Sequence, residues 1–423
     1  MLTALLVRRT YYLLTAGNTL AGSLIWGINT IFLLDAGLSN LAAFAANACF
    51  TAGMVLFEVP TGVVADLWGR RASFLLGTVT LAGTTGLYVW LWRLHAPFWP
   101  WAVASLLLGL GFTFFSGAVE AWLVDALTAT GSTEPLEAVF ARGQVVGGVA
   151  MLTGSVAGGY LAQLTNLGVP FLVRAGVYAL MFALAAVLMR DLGFTPDRSL
   201  PPVARMRRIA ADSVRYGWRV RQVRLLMLAA PFTGGIGVYV FYALQPHLLN
   251  LFEDERAYGI AGLAAAAVAG AQIVGGLLAE RIGRLFPHRL TAYLALEAAG
   301  VLALVGLGLA GQFWAALGLI VVWAVLGSAG MPLRQAYVNG LIPSQQRATI
   351  LSFDSLMAST GGVVTQPALG RVADLWGYPA SFLVSSVVSA CALPFLVKAR
   401  NGDTTDSAVP ATAPDKRAAE RHE

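Results

Sequence analysis

Twelve stretches of about twenty or more mostly apolar residues, parted by short turns, constrain this chain more than any other feature. Each is long enough, as a helix, to cross a hydrocarbon layer about 30 Å thick. A spanning segment must satisfy its own backbone, so helix is the expected form. The approximate bounds are 12–34, 41–64, 72–93, 98–126, 137–165 and 168–190, then 223–251, 257–280, 289–310, 313–339, 348–372 and 377–398. Only 12% of the 423 residues are charged and 57% are hydrophobic, against roughly a quarter charged in a soluble domain. That balance excludes a soluble enzyme, a disordered scaffold and a secreted disulfide protein. The two cysteines, Cys49 and Cys391, lie within apolar runs and suggest neither a metal nor a redox site.

The net charge of +6 raises the question of nucleic acid, but its placement answers it. Apart from Lys398 and Lys416 every cation is arginine, and these crowd the N-terminus, the segment from Arg190 to Arg224, alternate short turns and the C-terminal tail. An alternating pattern of this kind reports membrane topology: the arginine-rich side is cytoplasmic, both termini lie there, and the number of spans is even. The start of the chain does not read as a cleaved signal peptide, because the apolar run after it is too long. The expected organisation is a six-helix bundle over 1–190, a cytoplasmic linker over 191–222, a second six-helix bundle over 223–398 and a disordered tail over 399–423. Within the linker an amphipathic surface helix is expected near 206–218. Trp90, Trp92, Trp99 and Trp101 bracket one outer connection as an interfacial aromatic belt.

The halves repeat. Gly62, Asp66, Gly69 and Arg70 after the second span reappear 214 residues later as Gly276, Glu280, Gly283 and Arg284 after the eighth. A 6+6 chain with related halves is the plan of carriers that rock two bundles about a midplane site.

The segment GVVADLWGRR at 62–71 resembles the loop 2–3 signature of the major facilitator superfamily, G-x-L-A-D-x-x-G-R-[KR]. With its second copy, the resemblance covers all twelve spans. It implies an all-α integral membrane fold of twelve helices in two pseudo-symmetric bundles. It also implies gating by Asp66, Arg70 and Arg71 together with an acid at the cytoplasmic end of span four, by position Asp125. Span five carries GSVAGG at 154–159, similar to an antiporter signature but with Ser155 where the family has proline. The surroundings of Glu58 and Glu120 look similar to a bacterial drug-efflux branch. The arginine that such exporters carry in span four is absent from 105–111.

Ionisable groups inside a membrane are costly and so point to function. Glu58, Glu120, Arg142, Arg174, Glu297, Arg334 and Asp354 lie within spans, with Asp35 and Asp374 nearer the outer surface. Proton coupling is expected of Glu120, Asp354 or Glu58. By the repeat, Glu120 corresponds to Arg334, which suggests an inter-half latch; the alternative is local pairing of Glu120 with Arg142 and Arg334 with Asp354. Glu297 and His247 read as packing residues. Helical spacing places Asn18, Gly22, Ile25 and Asn29 on one face of span one, and the expected cavity also takes Trp26, Phe112, Phe115, Ser116, Phe232 and Tyr239. Aromatics with a few amides suit an amphipathic ligand better than a sugar.

These readings converge on a monomeric carrier in a bacterial inner membrane, exporting drug-like compounds by proton exchange. It needs the lipid bilayer, a small-molecule substrate and a proton gradient, and neither cofactor nor nucleic acid. A uniporter or symporter for a small metabolite is the alternative, as is a transporter-derived receptor or lipid-handling protein. No phosphate loop, metal cluster or nucleophile triad points to an enzyme.

Overall fold

The computed structural model describes residues 3–194, 220–254, 256–342 and 347–401. The helix expected at 206–218 and the tail beyond 401 lie outside them. Among the described residues every regular element is a helix. The first half holds α1 (Ala4–Ser23), α2 (Asn29–Asp35), α3 (Asn40–Trp68), α4 (Arg70–Leu94), α5 (Phe98–Thr113), α6 (Ala118–Ala129), α7 (Leu136–Leu164) and α8 (Gly168–Leu188). The second holds α9 (Arg221–Phe252), α10 (Tyr258–Gly283), α11 (Arg289–Leu309), α12 (Phe313–Leu341), α13 (Arg347–Ala390) and α14 (Leu393–Asn401). Ten helical stretches meet the length and hydropathy of a membrane span. The interrupted α1–α2 pair adds one crossing, and a break at Gly377 within α13 divides the last stretch in two. Twelve crossings result.

Two spans expected to be continuous are broken. Between α1 and α2 the chain turns over 24–28, and the amide of Gln245 inserts into the gap. Its Nε2 donates to the Trp26 carbonyl at 2.6 Å and its Oε1 accepts the Thr30 N–H at 2.9 Å, the two groups that an unbroken helix would join to each other. Between α5 and α6 the chain turns over 114–117, with Gly117 at φ 67°. There the Ser73 hydroxyl donates to the Phe114 carbonyl at 2.7 Å. Irregular backbone at membrane depth is tolerated where protein satisfies it in this way.

The end of the molecule that holds the turns after α2, α4, α7, α9 and α11 is poor in arginine, and there the halves are tied together. Asp374 accepts the N–H groups of Asn40 at 2.8 Å and Leu41 at 2.9 Å, and the Tyr378 hydroxyl bonds the Asn40 side chain. Ser39 accepts from Ala42 N–H, so the exposed N–H groups at the start of α3 are met from both halves, with a carboxylate at the positive end of the helix dipole. Gln163 Oε1 accepts Gly259 N–H at 2.9 Å, and Gln366 Nε2 donates to Thr51 at 3.2 Å. At the arginine-rich end the ion pairs among the described residues stay within a half: Asp66 with Arg70, Glu280 with Arg284, Arg334 with Asp354, and Glu134 with Arg8 and Arg142.

The GSVAGG segment of α7 lies in the packing seam. A methyl on Gly158 would stand 1.8 Å from the Leu24 carbonyl oxygen, and one on Gly159 2.9 Å from Gly262 Cα across the two halves. Only glycine admits such approach between backbones.

Candidate functional site

A cleft opens beside the α1–α2 break, with ≈ 440 Å³ of empty space that includes open solvent. Gly22, Ile25, Trp26 and Asn29 bring the broken span to its wall; Asn47 and Phe50 come from α3, Tyr88 from α4, Leu108 and Phe112 from α5, Arg174 from α8 and Tyr242 from α9. Asn29 Nδ2 donates to Asn47 Oδ1 at 3.0 Å, and Phe50 meets Phe112 edge-on with ring centroids 5.5 Å apart. Nearly all of this wall belongs to the first half.

The expected cavity residues therefore divide. Trp26, Asn29 and Phe112 line it. Phe115 instead packs between Phe74 and Tyr178 in the first-half core, because the α5–α6 break turns it away. Phe232 stacks on Phe395 of α14. Tyr239 is fully buried, hydrogen-bonded to Ser381 at 2.6 Å and packed on Phe44. Asn18 does not reach the wall, and its Oδ1 is buried without a hydrogen bond. Ser116 donates to Glu58 Oε1 at 2.6 Å. His247 packs edge-on to Phe382, with centroids 5.0 Å apart.

Sequence reasoning named Arg174 as an intramembrane charge but gave it no place. It is 2% exposed, with its guanidinium carbon 5.7 Å from the Phe112 ring centre and 5.5 Å from that of Tyr178. Its arginine identity inside an apolar run was the available signal. Asn47, Phe50, Tyr88 and Tyr242 carried none, since aromatics and amides recur throughout these spans.

At the turn between α3 and α4, Asp66 and Arg70 pair at 2.8 Å, and Gly69 takes φ 97°. The acid that meets this turn is Asp191, not Asp125. Its carboxylate accepts the Arg71 N–H at 2.9 Å at the start of α4, and the Arg71 side chain donates to the Ala186 carbonyl at 2.6 Å. Burial pushes the Asp191 carboxyl above its usual range, opposed by the Arg71 N–H and by the charges of Arg71 and Arg70. Asp125 lies half-buried beside Gly193, which approaches its backbone carbonyl. Gly62 sits within α3 with open space beside it, as does Gly276 within α10. The second copy repeats the spacing of the charges, with Glu280 and Arg284 at 2.5 Å, both exposed, while Gly283 packs against Leu333.

The latch between Glu120 and Arg334 is not formed. Arg334 holds both oxygens of Asp354, each at 2.5 Å, and interacts electrostatically with Glu297 of α11. Glu297, half-buried, makes no ion pair with Arg334 among the described residues. Arg142 bonds Glu134 at 2.7 Å and is not the partner of Glu120. Glu120, exposed in the first turn of α6, is unpaired among the described residues.

The eight-residue pattern GxVADLWG, found at 62–69, recurs at 370–377. Both copies end a helix on a glycine of positive φ, 97° at Gly69 and 79° at Gly377, and re-enter helix at once. They lie at opposite ends of the molecule, as inverted three-helix repeats within each half require.

A family model described as Major Facilitator Superfamily matches residues 11–308 and 260–421. The chain belongs to the major facilitator superfamily. Among curated relatives of this superfamily it is similar to an uncharacterized MFS-type transporter, YxaM, of Bacillus subtilis (strain 168), 22% identical over 401 residues, covering 89% of this chain and 92% of the relative. Among solved superfamily structures it resembles the nucleoside transporter NupG, with a TM-score of 0.76 at 10% identity over 95% of this chain and 100% of that one. It also resembles a D-xylose-proton symporter, with a TM-score of 0.66 at 14% identity over 93% and 96%. The chain is a multi-pass membrane transporter of this superfamily.

Proposed function

We propose that this chain is a proton-coupled carrier that exports amphipathic, drug-like organic compounds across a bacterial inner membrane by alternating access. The observation that carries the reading is the aromatic-walled cleft beside a broken helix, in a molecule whose halves are tied at one end. With the arginine-rich end cytoplasmic, both termini are cytoplasmic and the conformation is inward-facing. Five aromatic rings stand in the wall, which favours a ligand with a large apolar body. Glu58 and Glu120 on the first-half face, and the Asp354–Arg334–Glu297 group in the second, are the candidates for proton exchange. The turn at 62–71 and its copy act as gates for the rocking motion. The carrier works as a monomer and uses the proton gradient without a cofactor.

Inward symport of a small metabolite is a second reading. It is favoured by the stretch 105–111, which carries no charge and packs closely on α3 and α4, Gly109 against Phe50 and Gly111 against Leu81.

Proteoliposomes with an interior pH dye decide between them. Under the first reading, adding an amphipathic drug discharges an imposed proton gradient, and Glu120→Gln abolishes that discharge. Accumulation of a small solute driven by the gradient, with no drug-triggered discharge, establishes the second.

A further inference from the structure

Arg174 is a permanent cation on the second turn of α8, 98% removed from solvent by its 2% exposure. Among the described residues it has no carboxylate partner, and its Nε is buried without a hydrogen bond. No Asp or Glu stands in the wall of the cavity that it lines. The faces of Phe112 and Tyr178 flank the guanidinium, and ring quadrupoles attract a cation without consuming its N–H donors. Asn47 adds a second unmet donor: its Oδ1 accepts from Asn29, while its Nδ2 is buried with nothing to receive its hydrogens. A charge of this kind is costly to hold in a membrane unless an anion joins it. Arg174 Nε and Asn47 Nδ2 are both unmet donors facing one cavity, and an anion with acceptor oxygens would satisfy them.

We propose that the cavity binds an amphipathic organic anion, its carboxylate held by the Arg174 guanidinium and Asn47 Nδ2 and its apolar body laid against Trp26, Phe50 and Phe112. A carboxylate matches the fork of an arginine with two parallel hydrogen bonds. This assignment rests on the reading of the chain as a carrier and names the class of compound it carries.

The test measures binding to the purified full-length protein by the rise in its melting temperature, with no proton gradient present. The probes are indole-3-acetate, the neutral indole-3-acetamide, the cationic tryptamine, and sodium chloride or sulfate at matched ionic strength. Indole-3-acetate stabilises the protein saturably, and the amide and the amine do not. Arg174→Gln weakens that binding about tenfold or more, while the ligand-free variant melts no lower than wild type, because an unpaired buried charge is gone. Asn47→Asp supplies a counter-charge from within: it raises the ligand-free melting temperature and abolishes binding of the carboxylate. Equal stabilisation by the amide, unchanged affinity in Arg174→Gln, or no response to any probe overturns the site. Saturable stabilisation by chloride or sulfate alone makes the occupant a free inorganic anion and overturns the substrate class. Carboxylate binding without coupled proton flux in vesicles defeats the carrier reading but leaves the site. Proton-coupled flux confined to neutral or cationic compounds does the reverse.

Discussion

Gln245 of α9 occupies the gap in the first span, so that the Trp26 carbonyl, 2.6 Å from Gln245 Nε2, is satisfied by a side chain of the other half. The same amide accepts the Thr30 N–H. Gln245→Ala leaves both backbone groups buried and unmet, at a cost of about 1–3 kcal/mol each. A lower melting temperature of the detergent-purified variant is expected, and Gln245→Glu, which can still accept from Thr30 but cannot donate, falls between the two. An alanine variant that melts with wild type refutes the bridging role.

Asp374 gives the arginine-poor end its inter-half cap. Asp374→Ala removes two charge-assisted hydrogen bonds at the start of α3, worth about 1.5–3 kcal/mol each, and shifts the population toward opening at that end. Spin labels at the exposed positions Leu41 and Leu375 report it as a longer distance distribution. A distribution identical to wild type counts against the cap as a closing element.

Arg334 and Asp354 form a nearly buried pair, their side chains 16% and 12% exposed. Neutralising one partner strands the other, at about 3–5 kcal/mol, so Arg334→Gln and Asp354→Asn each lose stability and coupled proton flux. The swap Arg334→Asp with Asp354→Arg recovers part of the stability. A swap of Arg334 with Glu120 recovers none, since the two are not paired. Melting curves and the pH-dye assay read both predictions.

Asp191 links pH to the turn before α4. A native pKa above the unfolded value means that the folded state holds the proton more tightly. Its contribution is therefore full below the ordinary carboxylate pKa of about 4 and fades as pH rises through the higher native value. Asp191→Asn removes that slope, so the melting temperature of wild type relative to the variant declines as pH rises from about 4. A constant difference across the range shows that Asp191 does not titrate there.

Gly69 and Gly377 end helices in the same conformation but in different company. A methyl on Gly69 would lie 2.2 Å from Asp191 Oδ2, whereas one on Gly377 meets only Pro379 at 3.6 Å. Both alanine variants carry the strain of a positive-φ, extended-ψ backbone that is nearly confined to glycine, about 1–3 kcal/mol. Gly69→Ala also displaces Asp191, so it shows the larger fall in melting temperature.

Apolar runs separated by turns, alternating arginine, and a repeat 214 residues apart specify the superfamily, because a bilayer permits few ways to satisfy a backbone and only glycine suits the tight helix-to-helix turns. Those signals are local, and they sufficed for the number of spans and for the two charged turns at 62–71 and 276–284, whose Asp66–Arg70 and Glu280–Arg284 pairs the structure shows. The recurrence at 370–377 was equally legible as a pattern, though not its consequence, because one copy pairs within a turn and the other caps a distant helix. The Arg334–Asp354 pair, 20 residues apart, was one of the two pairings the sequence offered. Tertiary structure alone decided that Gln245 enters the first span, that Asp191 rather than Asp125 meets the turn before α4, and that, among the described residues, Arg174 stands without an acid. Each depends on what another helix presents at that depth, and partners more than a hundred residues apart leave no spacing in a single sequence.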